Sequence, residues 1–237
     1  MIGVFVKCPH PEMIEAIGLS GFDAAVVDME HTPLTPRCVY PLVLAAERRR
    51  LDLIVRVPNQ DEPYLKWLLD LGVSFVQIPH ITCSEQIKSV VKLSFFSPVG
   101  ERGLCRFVRA ANFSVTPVSD YMGSVNKSTR MIFQVEGVEG VKNINSILDV
   151  CPAGSILFIG PYDLSQSIGR PGDIWHDDVV DLMLNVVQEA DKRNIEVGTF
   201  TDSSEGIKFW KKNNIKLIEY GSDLNIFIEG SKKLLNF

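Results

Sequence analysis

Met131-Ile132-Phe133-Gln134-Val135-Glu136 is a short β-rich run, Val141–Leu148 behind it reads as a helix, and Ser155-Ile156-Leu157-Phe158-Ile159 is a second β-rich run. Both runs are mostly apolar on successive positions rather than alternate ones, as in strands covered on both faces. A helix joining two such strands makes them parallel neighbours. The same unit recurs on either side. Upstream, strands are expected at Ile2–Lys7, Asp23–Met29, Asp52–Val57 and Phe75–Pro79. Helices are expected at Pro11–Leu19, Pro36–Arg49, Glu62–Leu71 and Ser84–Leu93. An irregular connection spans roughly Ser97–Asn112. Downstream come a helix at Val179–Arg193, a strand at Glu196–Phe200, a helix at Ser204–Asn213, a strand at Leu217–Tyr220 and a closing helix at Asn225–Leu235.

Eight strand–helix units predict an α/β fold, a single (β/α)8 TIM barrel over residues 1–237. An open sheet binding a dinucleotide would carry G-x-G-x-x-G after an early strand, and none is present. The composition fits a globular chain with a sizeable core, 46% hydrophobic and 22% charged. The net charge of −5 argues against nucleic acid as a partner. The densest basic run, Arg48-Arg49-Arg50, falls where a helix ends and cations are favoured. The five cysteines are odd in number and widely spaced, with no C-x-x-C, which argues against a disulfide framework or zinc knuckle. No charged segment ahead of an apolar stretch opens the chain, and no apolar run approaches the roughly 18–20 residues of a membrane span. A cytoplasmic protein with no membrane partner is expected.

Active sites of such barrels gather at the C-terminal ends of the strands. Those ends carry Asp28-Met29-Glu30-His31 after strand two, Arg56 after strand three, Gln134 and Glu136 at the end of strand five, and Gly160-Pro161-Tyr162-Asp163-Leu164-Ser165 after strand six. His80, Thr201 and Asp223 form a weaker set. Two carboxylates plus waters suit a hard octahedral ion such as Mg²⁺ or Mn²⁺, which can polarise a 2-oxo acid. Arg56 suits an enolate oxygen, and His31 has the intrinsic pKa range for proton transfer. Gln134 suits orientation of a water or the histidine, and the turn after Gly160-Pro161 offers N–H groups to a carboxylate. Each residue alone also has a structural reading: Asp163 as a helix cap, Arg56 as a rim ion pair, His80 as peripheral, His176 as part of a helix start, and Cys105 as an inert loop thiol. Convergence on one rim carries the functional reading.

These motifs, in this order, resemble the HpcH/HpaI aldolases. The resemblance rests on Asp28-x-Glu30-His31, Val-Arg56-Val-Pro, Leu69-Asp70-x-Gly72, Pro-x-Gly-x-Arg102-Gly103, Arg109-Ala110, Gln134-x-Glu136 and Phe158-Ile159-Gly160-Pro161-x-Asp163-Leu164-Ser165. It covers nearly the whole chain. It implies a class II aldolase dependent on a divalent metal (Mg²⁺, Mn²⁺ or Co²⁺). Such an enzyme cleaves a 4-hydroxy-2-oxo acid to pyruvate and an aldehyde through a metal-bound pyruvate enolate. It further implies Glu136 and Asp163 as metal ligands, Arg56 as the substrate-polarising arginine, His31 as the catalytic histidine and Asp70 as the carboxylate paired with it. Gln134, Gly160, Pro161 and Tyr162 are implied as substrate contacts, Tyr162 through its backbone N–H. Relatives are typically hexamers, trimers of dimers, that exchange the last helix. Tyr162, Phe200 and a short Arg102–Arg109 loop carrying Cys105 depart from the family's pattern, and they bear on the aldehyde more than on the reaction class. Two rivals stay open on this scaffold: a citrate-synthase-like acyltransferase and a keto-acid-binding barrel without chemistry.

Overall fold

The computed structural model describes residues 1–235. Strands β1 (Ile2–Val6), β2 (Ala24–Asp28), β3 (Asp52–Arg56), β4 (Phe75–Ile78), β5 (Arg130–Val135), β6 (Ile156–Ile159), β7 (Glu196–Thr201) and β8 (Leu217–Ser222) close into a parallel barrel in sequence order, β8 returning to β1. Around it lie α1 (Pro11–Leu19), α2 (Pro36–Arg49), α3 (Glu62–Leu71), α4 (Ser84–Ser94), α5 (Val118–Ser128), α6 (Val138–Lys142), α7 (Ile144–Leu148), α8 (Pro161–Ser167), α9 (Asp177–Asp191), α10 (Ser204–Lys212) and α11 (Asp223–Leu235). The expected (β/α)8 barrel is therefore the fold.

Local chemistry sets the helix ends. Pro11, Pro36 and Pro161 open α1, α2 and α8, where a missing N–H costs nothing. Gly72 caps α3 at φ +92°, a backbone region that favours glycine. Three details differ from the sequence pattern. The region read as Val141–Leu148 is two short helices meeting at Asn143. The chain after the long connection forms a 3₁₀ segment (Arg109–Ser114) and then α5. Only Tyr121 of α5 is buried, so its apolar stripe is too thin to announce itself; it packs with Phe96 and Ala111 as a small satellite core. The turn after β6 forms a complete short helix, α8, beyond a bare helix start.

Successive strand residues face opposite ways. Outward-facing Val4, Val27, Val55, Val76, Phe133, Leu157, Val197 and Ile218 pack beneath the helices in the main core. The lumen is filled by Phe5, Ala24, Val26, Ile54, Phe75, Ile132, Ile156, Phe158 and Leu217. Two residues further along the same faces come Asp28, Arg56, Gln77, Gln134 and Glu219, all buried. The lumen therefore changes from apolar to polar as it nears the C-terminal rim.

Candidate active site

Asp28, at the end of β2, organises the rim. Its Oδ1 accepts Arg56 Nε at 3.1 Å and the backbone N–H groups of Glu30 and His31 at 3.1 and 3.2 Å. Its Oδ2 pairs with Arg56 Nη2 at 3.0 Å and with Lys7 Nζ. Burial alone would raise its carboxyl, but the hydrogen bonds and charges of Arg56 and Lys7 hold it at about 2. Asp28 thus fixes both the arginine and the turn that carries Glu30 and His31. Burial would depress the Arg56 guanidinium, yet the hydrogen bond and charge of Asp28, with Glu219 and Glu30, raise it. Its plane also lies 4.8 Å over the Phe5 ring.

Glu136 follows β5, and its carboxylate is shared. Oε2 accepts from Gln134 Nε2, while Oε1 accepts the His80 backbone N–H at 2.8 Å and lies 2.8 Å from His80 Nδ1. The other nitrogen, His80 Nε2, is 2.9 Å from Glu30 Oε1. The imidazole therefore spans two carboxylates. His80 holds φ +58°, an uncommon conformation for a residue with a Cβ, and its contacts to Glu136 compensate. Burial, with Glu136 nearby, raises the Glu30 carboxyl in spite of Arg56. Between β6 and α8, Gly160 is required: a Cβ there would lie 2.8 Å from Glu136 Cβ and 2.9 Å from Oε2. Asp163 stands exposed in the first turn of α8, one residue beyond Tyr162.

A cavity of about 410 Å³ opens over this rim, lined by His31, Arg56, Gln134, Glu136, Gly160, Pro161, Tyr162 and Asp163, all expected from sequence. Phe5, Phe158, Phe200 and Tyr162 supply aromatic surface. The Tyr162 and Phe200 rings are 5.7 Å apart, and Tyr162 Oη donates to Asp202 Oδ2 at 2.9 Å. Burial and Asp202 together raise the Tyr162 phenol. The donor set fits a divalent cation. Glu30, His80 and Glu136 bring negative charge and lone pairs to one place, their ligand atoms within 4.8 Å of one another, and Asp163 lines the same cavity. The buried Glu30 Oε2 accepts no well-formed hydrogen bond, its neighbour being Arg56 Nε at 3.2 Å, and the absent Gly160 side chain leaves Glu136 room.

The sequence profile of the HpcH/HpaI aldolase/citrate lyase family matches residues 1–230. The chain belongs to that family. It is 29% identical over 233 residues to a 5-keto-4-deoxy-D-glucarate aldolase of Escherichia coli O6:H1 strain CFT073, covering 98% of this chain and 90% of the relative. An HpcH/HpaI aldolase/citrate lyase family protein from Burkholderia cenocepacia J2315 superposes with a TM-score of 0.92 at 29% identity, over 100% of this chain and 93% of that one. The citrate synthase SbnG superposes with a TM-score of 0.88, also at 29% identity, over 99% and 91%.

Against the set implied by the family resemblance, this HpcH/HpaI chain leaves Asp70 apart. α3 runs back from the catalytic rim, so Asp70 at its end reaches the opposite end of the barrel. There it pairs with Arg102 at 2.6 Å and borders a second hollow with Tyr40, Trp67 and Phe113. His31 is exposed, its nearest carboxylate being Glu30 Oε2 at 3.7 Å. Several polar residues at the site are additions to the expected set. Lys7 directly follows β1 and Gln77 interrupts the apolar run of β4, polar positions that no motif marks. His80 ends β4 in a Pro-His turn, where its strand-end position was the only clue. Glu219 sits where an interior strand residue should be apolar, and that mismatch is itself detectable.

Proposed function

We propose that this chain is a divalent-metal-dependent aldolase that cleaves a 4-hydroxy-2-oxo acid to pyruvate and an aldehyde. The observation that carries this reading is the shared cavity of Glu136, Asp163, Arg56 and His31, with Arg56 clamped by Asp28. Glu136 and Asp163 are the proposed ligands of Mg²⁺, Mn²⁺ or Co²⁺, with Glu30 and His80 behind them. A cation held there would supply Lewis-acid polarisation of the 2-oxo group. Arg56 presents a rigid, permanently charged donor to the same oxygen as it gains charge. His31 accepts the 4-hydroxyl proton, directly or through a water, and the C4–O bond becomes the aldehyde carbonyl. The C3–C4 electron pair passes into the enolate, and protonation at C3 completes pyruvate. Gln134, Gly160, Pro161 and the Tyr162 N–H frame the acid's carboxylate end. Phe200, Tyr162 and Asp202 border the aldehyde. The relatives named for 5-keto-4-deoxy-D-glucarate favour a sugar-derived diacid as substrate.

Asp70 serves His31 only between copies, because within one chain they sit at opposite ends of the barrel. A homo-oligomer is therefore part of the proposal, arranged as a trimer of dimers with α11 exchanged. Exposed Phe227 (71%), Ile228 and Leu234 on α11, and Trp67 and Phe113 beside Asp70, provide apolar surface for it. The deciding experiment is pyruvate release from 4-hydroxy-2-oxo acids before and after chelation. Activity should vanish with EDTA and return with Mn²⁺ or Mg²⁺, and full activity in the chelated protein would sink the metal role. Likeness to a citrate synthase favours carbon–carbon condensation as the second reading. A coenzyme-A-dependent product without aldol cleavage would establish it.

A further inference from the structure

Behind Glu136 a hydrogen-bonded chain crosses the lumen toward β8. Gln134 Nε2 donates to Glu136 Oε2, and Gln77 Nε2 donates to Gln134 Oε1 at 2.6 Å. The order of donors is set from the Glu136 end. A carboxylate only accepts, so Gln134 must turn its nitrogen to Glu136 and its carbonyl to Gln77, which in turn must offer nitrogen. Gln77 Oε1 is then left buried without a donor. The Gln77 amide reaches the carboxyl of Glu219, which is itself fully buried and has no well-formed hydrogen bond on either oxygen.

Gln77 Oε1 and the two Glu219 oxygens are thus buried acceptors short of a donor, which is costly in a dry interior, and one proton supplies the donor that is missing. A neutral carboxyl donates its O–H to Gln77 Oε1 and accepts the second Gln77 N–H on its carbonyl, the paired arrangement natural to an acid and a primary amide. We propose that Glu219 is a positioning residue held as the neutral acid, which locks Gln77 and, through Gln77 and Gln134, the orientation of the Glu136 carboxylate. Burial pushes the Glu219 carboxyl up to about 8, although Arg56 and the Gln77 amide lower it; Asp28 adds to the rise. The consequence for metal binding rests on Glu136 being a ligand, whereas the protonation of Glu219 does not.

Two measurements on the full chain separate these parts. Infrared difference spectroscopy of wild type against Glu219→Gln at pH 6.5 should show a protonated-acid C=O band that the variant lacks. A carboxylate signature in its place overturns the proposal. Titration of free Mn²⁺ by electron paramagnetic resonance should find Glu219→Gln within about threefold of wild type, since its amide still donates and accepts. Glu219→Leu, which can do neither, should bind about tenfold more weakly. Wild-type Mn²⁺ affinity in a folded Glu219→Leu protein overturns the positioning role. If Glu219→Leu fails to fold, Gln77→Leu breaks the same chain and must give the same loss. If wild type binds no Mn²⁺, the metal reading and the positioning role toward it fall together, while the infrared band still decides where the proton resides.

Discussion

The lower and upper halves of the lumen are built by the same strands, two residues apart. Below lie Val26, Ile54, Phe75, Ile132 and Leu217; above them stand Asp28, Arg56, Gln77, Gln134 and Glu219. The lower half needs only volume and apolarity, so its members are individually replaceable within the limits of packing. The upper half is buried too, yet each member depends on a named partner from another strand. Asp28 needs Arg56 and Lys7, Gln134 needs Gln77 and Glu136, and Glu136 needs the missing side chain of Gly160. A barrel can thus keep its fold and its site on the same strands because different residues along them do the two jobs.

Substitutions on either side of the boundary test this division. Arg56→Leu removes the main counter-charge of Asp28 and the donor for the reacting oxygen. It should cost about 4 kcal/mol in urea unfolding and lower kcat for pyruvate release about a thousandfold. An unchanged kcat would remove Arg56 from the reaction. Ile132→Ala, one layer down, should cost about 3 kcal/mol of stability while kcat/KM and Mn²⁺ affinity stay within about threefold. A large loss of activity in that stably folded variant would mean that the two halves are not separable. The smallest effect comes from acid. The Asp28 carboxyl sits at about 2 in the folded chain, below its ordinary 3.8. Its stabilisation is therefore complete above the unfolded value and is lost as pH falls from about 4 through about 2, some 2 kcal/mol in all. Asp28→Asn should flatten that part of the stability–pH curve, and an unaltered slope would refute the assignment.

Much of this arrangement is legible along the chain, for a physical reason. Parallel strands covered on both faces must be apolar runs, and helices between them must carry caps and one apolar stripe, so β/α alternation is written locally. The polar residues at strand ends follow from the same reading, which is how His31, Arg56, Gln134, Glu136 and Asp163 are found. Lys7 at a strand end and Gln77 inside an apolar run carry only a weak local mark, because the sequence does not show that either one faces the lumen or which residue it meets there. Asp70 shows the complementary limit: a motif gives its identity, while the direction of α3 determines where it is delivered.

The sequence by itself determined the barrel, the rim and the residue types gathered there, because burial period and strand-end chemistry are local properties. Only the tertiary structure decided the partners: that Asp28 joins Arg56 to Lys7, that His80 spans Glu30 and Glu136, and that Glu219 stands buried against Gln77. Those pairings join residues distant along the chain: adjacent parallel strands bring Asp28 to Arg56 and Lys7, and closure of the barrel, with β8 meeting β1, brings Glu219 to Gln77.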